Sequence, residues 1–348
     1  MPRLSDSFQV KGLQLRNRLV MAPMATGMAQ GHAPGPDLIR WYEDHAREGV
    51  GLVVVESTAV APDALLVPGM MGIWDDAQVA GLAGLARAIR AQGVPAVLQL
   101  VHGGARAYRA DPGAGPERVG PSPVALAPGL PPRGMTEAEI LGVIEAFAQG
   151  ARRAREAGFD GVEVHAAHYY LLSEFLSPYC NRRGDRWGGD REGRARLAVE
   201  VVRAVRRAVG AGYPVFCRLH SLEHLEGGVS TEDAIYYARA LEAAGVDLLD
   251  LSGIGTSSMG EWQGRPYLNS SSVLPRDAAG GHFAPSAGRV RAAVGIPVIT
   301  VGKLAEPGAA QAVLDRGQAD LVALARQLIA DPRAAAKLLA GRDAEIDR

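Results

Sequence analysis

The sequence predicts an α/β fold, a (β/α)8 TIM barrel with a short N-terminal hairpin, and three observations carry that expectation. Eight short apolar runs recur along the 348 residues. Amphipathic, Ala/Arg-rich stretches separate them, most ending in a glycine just before the next run. No G-x-G-x-x-G turn follows an early run, as a doubly wound dinucleotide-binding sheet would require.

Residues 8–16 alternate about Gly12 and read as a hairpin closing the lower end of the barrel. Leu19-Val20-Met21-Ala22-Pro23-Met24 is the first strand. Gly49, Gly93, Gly158, Gly212, Gly245 and Gly295 then introduce the second to seventh runs, and Gln318-Ala319-Asp320 opens the eighth, Leu321-Val322-Ala323-Leu324. Glycine suits these places because a helix commonly ends on a left-handed residue. Runs without polar alternation suit strands buried on both faces. The spacing predicts helices over roughly 36–48, 76–92, 136–157, 191–209, 231–244, 286–293, 305–316 and 331–340, the third opened by a Thr136/Glu139 capping box. Long loops follow strands 3 and 6, at 103–135 and 252–285, where barrels shape their sites. One domain over residues 1–348 is expected.

Lys+Arg 37 against Asp+Glu 38 leaves a net charge of −1, which removes the electrostatic case for a nucleic-acid partner. No apolar run approaches the roughly 20 residues of a membrane span. Met1-Pro2-Arg3-Leu4-Ser5-Asp6 lacks the layout of a secretion signal, so a cytoplasmic location is expected. Cys180 and Cys217 are too few for a disulfide framework or a structural zinc site, and are read as structural.

Barrel chemistry collects where the strands end. Those ends carry Met24-Ala25-Thr26, Glu56-Ser57-Thr58, Gln99 with His102, His165 with His168, Arg218 with His220, Ser252, Gly302-Lys303 and Arg326. No carboxylate cluster is among them, which argues against a glycosidase pair or a two-metal site. His165-Ala166-Ala167-His168-Tyr169-Tyr170 offers two donors and a weak acid at one mouth, able to polarise a carbonyl oxygen and deliver a proton. The same residues also admit a metal pair without an evident third ligand, or two structurally satisfied histidines. Gly302 and Arg326 follow strands 7 and 8, the usual phosphate-binding place, although Arg326 alone equally suits a surface charge at a helix start.

Leu15-Arg16-Asn17-Arg18-Leu19-Val20-Met21-Ala22-Pro23-Met24, Gly72-Ile73-Trp74-Asp75-Asp76, Gln99-Leu100-Val101-His102, the His-Ala-Ala-His-x-Tyr motif and the stretch 174–189 together resemble the Old Yellow Enzyme family of FMN-dependent ene-reductases. The resemblance spans nearly the whole chain. It implies that Pro23, Met24 and Ala25 line the flavin ring and that Ser57 touches it through its backbone. Gln99 would bond the pyrimidine part, and Arg218 would face N1 and O2. Gly302, Ala325 and Arg326 would hold the phosphate. His165 and His168 would bind the substrate carbonyl, and Tyr170 would be the proton donor.

The implied activity is reduction of the C=C bond of α,β-unsaturated carbonyl compounds, with NADPH or NADH as reductant and no metal. A homodimer or homotetramer is the implied assembly. A flavin-dependent oxidase or dehydrogenase of amines or saturated carbonyl compounds is the alternative, and a catalytically lost flavin-binding scaffold a third reading. The chain departs from the family pattern at Ala25, where Thr or Cys often tunes the flavin, and at Gly27, where a Tyr is missing. Tyr169 is expected to add bulk near the mouth, while Gly193 in place of Asn and Ala325 in place of Gly look structural. The segment 24–29 looks closer to the branch holding 2,4-dienoyl-CoA reductase, but no Cys follows Cys217 in this sequence, so its four-thiolate iron–sulfur cluster is not expected here.

Overall fold

A computed structural model describes residues 1–109, 117–254, 256–271, 273–275 and 277–347. Eight strands form one closed barrel. They are β1 (Leu19–Met21), β2 (Leu52–Ala59), β3 (Ala96–Val101), β4 (Gly161–Ala166), β5 (Val215–Glu223), β6 (Leu248–Ile254), β7 (Val298–Thr300) and β8 (Leu321–Leu324). Each pairs in parallel with its sequence neighbours, and β8 pairs with β1 to close the ring.

Alternation along each strand sorts its side chains into two cores. Val20, Leu52, Val54, Val97, Phe216 and Ile299 point inward. Met21, Val53, Val55, Ala96 and Leu98 point outward into the larger cluster under the helices. The N-terminal hairpin pairs Phe8–Val10 with Leu13–Leu15. Its Val10 and Leu15 join the inner cluster, so the hairpin plugs the lower end. Lys11 and Gly12 turn it with φ of 44° and 82°, the two positive values a tight hairpin turn demands.

The ring of helices is α1 (Pro36–Arg47), α2 (Val79–Arg90), α3 (Glu137–Glu156), α4 (Arg191–Val209), α5 (Thr231–Ala244), α6 (Ala284–Arg291), α7 (Ala309–Asp315) and α8 (Ala334–Leu339). Thr136 and Glu139 form the expected capping box on α3. Two short helices, Leu171–Leu176 and Arg326–Ala330, lie outside the expected helix ranges, because five or six residues give no helical period to read, although the second does begin at Arg326. The loop after β6 holds an antiparallel hairpin, Thr256–Trp262 with Arg265–Ser271. Its strands interrupt Met259, Trp262, Tyr267 and Leu268 with polar residues and so form no apolar run. The left-handed Gln263 and Gly264 between them were the legible turn signal. In the loop after β3, Val119–Gly120 pairs with Arg133–Gly134, and the part at 110–116 lies outside the described residues.

Pairing registers slip between Val55 and Thr58 in β2 and between Ser252 and Gly253 in β6. Such bulges re-aim side chains, and here they turn Ser57 and Ser252 into the upper mouth. Gly193, in the first turn of α4, donates its N–H to Asp190 Oδ1 at 2.8 Å. A Cβ there would stand 1.9 Å from the Gly188 carbonyl oxygen. Replacing Gly193→Ala is therefore expected to destabilise the fold by about 1–3 kcal/mol. Urea unfolding checks this, and an unchanged midpoint would show that the 184–190 loop yields freely.

Candidate active site

The strand ends enclose a cavity of about 440 Å³. Every residue to which the family resemblance gave a flavin or substrate contact lines it: Pro23, Met24 and Ala25 after β1, Ser57 and Gln99 on β2 and β3, His165 on β4 with His168 and Tyr170 after it, Arg218 on β5, and Gly302, Ala325 and Arg326 after β7 and β8, whereas Thr26, Glu56, Thr58, His102 and His220 do not.

His165 is the penultimate residue of β4, and the chain soon enters a left-handed turn, with φ of 63° at His168 and 53° at Tyr169. Non-glycine residues adopt this conformation at a cost, and three contacts hold it. The His168 N–H donates to His220 Nε2 at 2.6 Å, and His220 Nδ1 lies 3.1 Å from Glu223 Oε1. The Arg106 guanidinium donates to the His168 carbonyl at 3.0 Å. Glu223 is itself fixed, since its Oε2 accepts from Ser177 Oγ and Val229 N.

The turn brings His165 Nε2 to 3.3 Å from His168 Nδ1. Their rings meet edge-on at 5.0 Å, and the Tyr170 ring stands perpendicular to both, 5.0 Å from His165 and 6.3 Å from His168. The Ala167 N–H donates to His165 Nδ1 at 3.2 Å, and His168 Nε2 lies 2.9 Å from Ser252 Oγ. Burial, followed by neighbouring positive charge, depresses both imidazoles well below the usual histidine range. Both are therefore neutral at pH 7, each with one N–H to offer.

Tyr169 does not add bulk at the mouth, which corrects the expectation above. Its ring is fully buried beside Ala105, Leu126, Cys180 and Ile254, because the left-handed turn sends successive side chains apart. Thr26 faces away from the cavity, where its N–H and hydroxyl bind the Glu56 carboxylate at 2.7 and 2.8 Å. Cys180 and Cys217 are free thiols buried away from the cavity.

Buried polar groups form the cavity floor. The Ser57 hydroxyl donates to Gln99 Oε1, and Gln99 Nε2 donates to Glu163 Oε1 at 2.8 Å. This locks the Gln99 amide with one N–H still available. Arg218 pairs with Asp250 Oδ2 at 2.8 Å while its buried Nε has no hydrogen-bond partner among the described residues. Burial, then the Asp250 charge, pushes Glu163 up to about 8.

At the opposite end Gly302 has a φ of 122° and Lys303 of 52°, so consecutive backbone units are left-handed beside the first turn of the Arg326 helix. The first N–H groups of a helix have no intrahelical acceptor. The Arg326 side chain has no hydrogen bond or ion pair among the described residues, whereas Lys303 is committed to the Ala278 carbonyl at 2.6 Å. A flat heterocycle with an acceptor-rich edge and a phosphate tail fits this set. The unpaired Arg218 Nε and spare Gln99 N–H suit the edge, and Arg326 suits the tail. FMN has that form.

Several participants carried no role in the sequence reading. Ser252 and His220 were visible only as strand-end residues, and neither Glu223 nor Arg106 stood out. Among the described residues no three His, Cys, Asp or Glu side chains converge as a metal site, and no helix is long and apolar enough to cross a membrane.

Glu163 has a pH signature. A carboxyl raised to about 8 in the fold stabilises it fully below its unfolded value near 4.3, and loses that contribution as pH rises through 8. Glu163→Gln, which keeps an acceptor for Gln99, is expected to flatten the decline in stability between roughly pH 4.3 and 8. Unfolding midpoints across that range check it, and parallel curves for the two proteins would show that Glu163 does not titrate there.

A model of the NADH:flavin oxidoreductase / NADH oxidase family matches residues 4–345. The chain is 38% identical to the NADH oxidase of Thermoanaerobacter brockii over 99% of its own length and 52% of that protein. It is 36% identical to the NADPH dehydrogenase of Halalkalibacterium halodurans over 95% of this chain and 92% of that one. It thus spans about half the length of some curated relatives and nine-tenths of others. Among solved structures it resembles 2-naphthoyl-CoA reductase with 2-naphthoyl-CoA, at TM-score 0.88 and 28% identity over 99% of this chain and 53% of that one. Morphinone reductase with tetrahydroNAD aligns at TM-score 0.80 and 31% identity, over 98% and 92% of the two chains. The chain therefore belongs to the NADH:flavin oxidoreductase / NADH oxidase family, the FMN-dependent barrels of the Old Yellow Enzyme type.

Proposed function

We propose that this protein is an FMN-dependent NAD(P)H oxidoreductase that reduces the C=C bond of α,β-unsaturated carbonyl compounds. The observation that carries the reading is the pair of imidazoles whose facing nitrogens are 3.3 Å apart, with Tyr170 beside them and, across the cavity, Arg218 Nε and the Arg326 guanidinium without partners among the described residues. FMN, when bound, supplies hydride transfer between NADPH or NADH and the alkene.

In this reading Arg326, Gly302 and Ala325 hold the phosphate. Gln99 and Arg218 hold the pyrimidine edge, and Pro23, Met24, Ala25 and Ser57 flank the ring. His165 and His168 receive the substrate carbonyl oxygen and stabilise the negative charge that builds on it during reduction. Tyr170 delivers the proton to the α-carbon. Ala25, which offers no side-chain hydrogen bond, supports a second reading as an oxidase or dehydrogenase of amines or saturated carbonyl compounds. The family resemblance carries a homodimer or homotetramer, which sedimentation of the FMN-loaded protein reads directly.

NADPH or NADH is expected to drive reduction of 2-cyclohexenone by the purified yellow protein. Bleaching of the flavin by NADPH without alkene reduction overturns the substrate half. Rapid anaerobic bleaching by an amine, but not by NADPH or NADH, favours the second reading. His165→Ala with His168→Ala is expected to lower kcat/KM about 100-fold. Arg326→Ala is expected to weaken FMN binding about tenfold or more, as measured by fluorescence titration.

A further inference from the structure

The two histidines do not both present an N–H to the cavity in the hydrogen-bond pattern observed. The Ala167 N–H occupies His165 Nδ1, so the single proton of neutral His165 sits on Nε2. That N–H points at His168 Nδ1, 3.3 Å away, which must then be the lone-pair side. The proton of His168 is consequently on Nε2 and is donated to Ser252 Oγ at 2.9 Å. One donor of the anchor is spent on the other histidine. A substrate oxygen bound by both rings needs His165 Nε2–H and His168 Nδ1–H together, and then His168 Nε2 becomes a buried acceptor requiring a donor.

We propose that Ser252 is a positioning residue that sets the tautomer of His168, turning its hydroxyl from acceptor to donor when an oxyanion or carbonyl oxygen enters between the two histidines. A hydroxyl is both donor and acceptor, so it satisfies Nε2 in either state. The proton on Nε2 passes to water, a proton from water arrives on Nδ1, and the charge of His168 is unchanged. Becoming doubly protonated instead is disfavoured by burial and by the nearby charges of Arg218 and Arg106.

The serine is held for this purpose. Its carbonyl accepts from Ser221 Oγ at 3.2 Å, and Ser221 Oγ is 2.8 Å from Ser286 Oγ. The β6 slip at Ser252/Gly253 aims the side chain, and Phe283 lies where a Cβ on Gly253 would sit, 2.6 Å away. The backbone is fixed, and the hydroxyl rotor is the free element.

The inference rests on the histidine anchor proposed above, and the test separates the two. The FMN-loaded full chain, labelled with 15N-histidine, is titrated with 4-hydroxybenzaldehyde, whose phenolate oxygen is the probe. The expected spectrum shows His168 protonated on Nε2 without probe and on Nδ1 with it. Ser252→Ala is expected to bind the probe about tenfold more weakly, and Ser252→Thr to recover most of that loss. A probe that shifts both histidines while His168 keeps its proton on Nε2, or gains a second proton, overturns the relay and leaves the anchor standing. Undiminished probe binding by Ser252→Ala also overturns the relay alone. A probe that binds without moving either histidine's resonances overturns the anchor, and the relay with it.

Discussion

A barrel whose strands are buried on both faces can display polar chemistry only where those strands stop. Nearly every residue of the eight strands is buried, and their side chains divide between an inner plug and an outer shell. The inner plug ends in a layer of buried polar groups, Gln99, Glu163, Arg218 and Asp250, and the cavity opens above it. Burying these charges is tolerable because they are paired or hydrogen-bonded. Arg218 has Asp250, and Glu163 accepts from Gln99 with its own charge suppressed.

Much of this was legible in the primary structure, because glycine followed by an apolar run is a backbone signal that survives without knowledge of the neighbours. The eight strands, the hairpin around Gly12 and the Thr136 cap belong to that class. So do the residues at the strand ends, since barrel topology alone assigns them to one mouth. Partner choice was not legible. Nothing local to His220 says that its ring accepts the His168 N–H, and nothing local to Ser252 says that it faces His168 Nε2. Both contacts join strands distant in sequence, and both depend on where the left-handed turn falls.

That same turn explains the corrected placement of Tyr169. Two successive positive φ values send His168 into the cavity and Tyr169 into the packing beneath the long loops, whereas a regular strand exit predicts neither. The polar hairpin at 256–271 escaped for a different reason. Its strands, Thr-Ser-Ser-Met-Gly-Glu-Trp and Arg-Pro-Tyr-Leu-Asn-Ser-Ser, scatter a few apolar residues among polar ones and form no continuous apolar run, so the Gln263-Gly264 turn is what betrays it.

Helix Leu171–Leu176, which begins directly after Tyr170, is buried along its whole length. Its first N–H is tied to the His102 carbonyl at 3.0 Å, and Glu174 Oε1 accepts from Ala105 at 2.8 Å. The side of the chamber that bears the imidazoles and phenol is thus riveted to the segment directly after β3 and has little room to adapt. Leu66, Val67, Val273 and Leu274, which face the same chamber, come instead from the long connections. Accommodation of differently shaped guests therefore falls to that greasy, replaceable side, and the fold can be retargeted there while its proton-handling apparatus stays untouched.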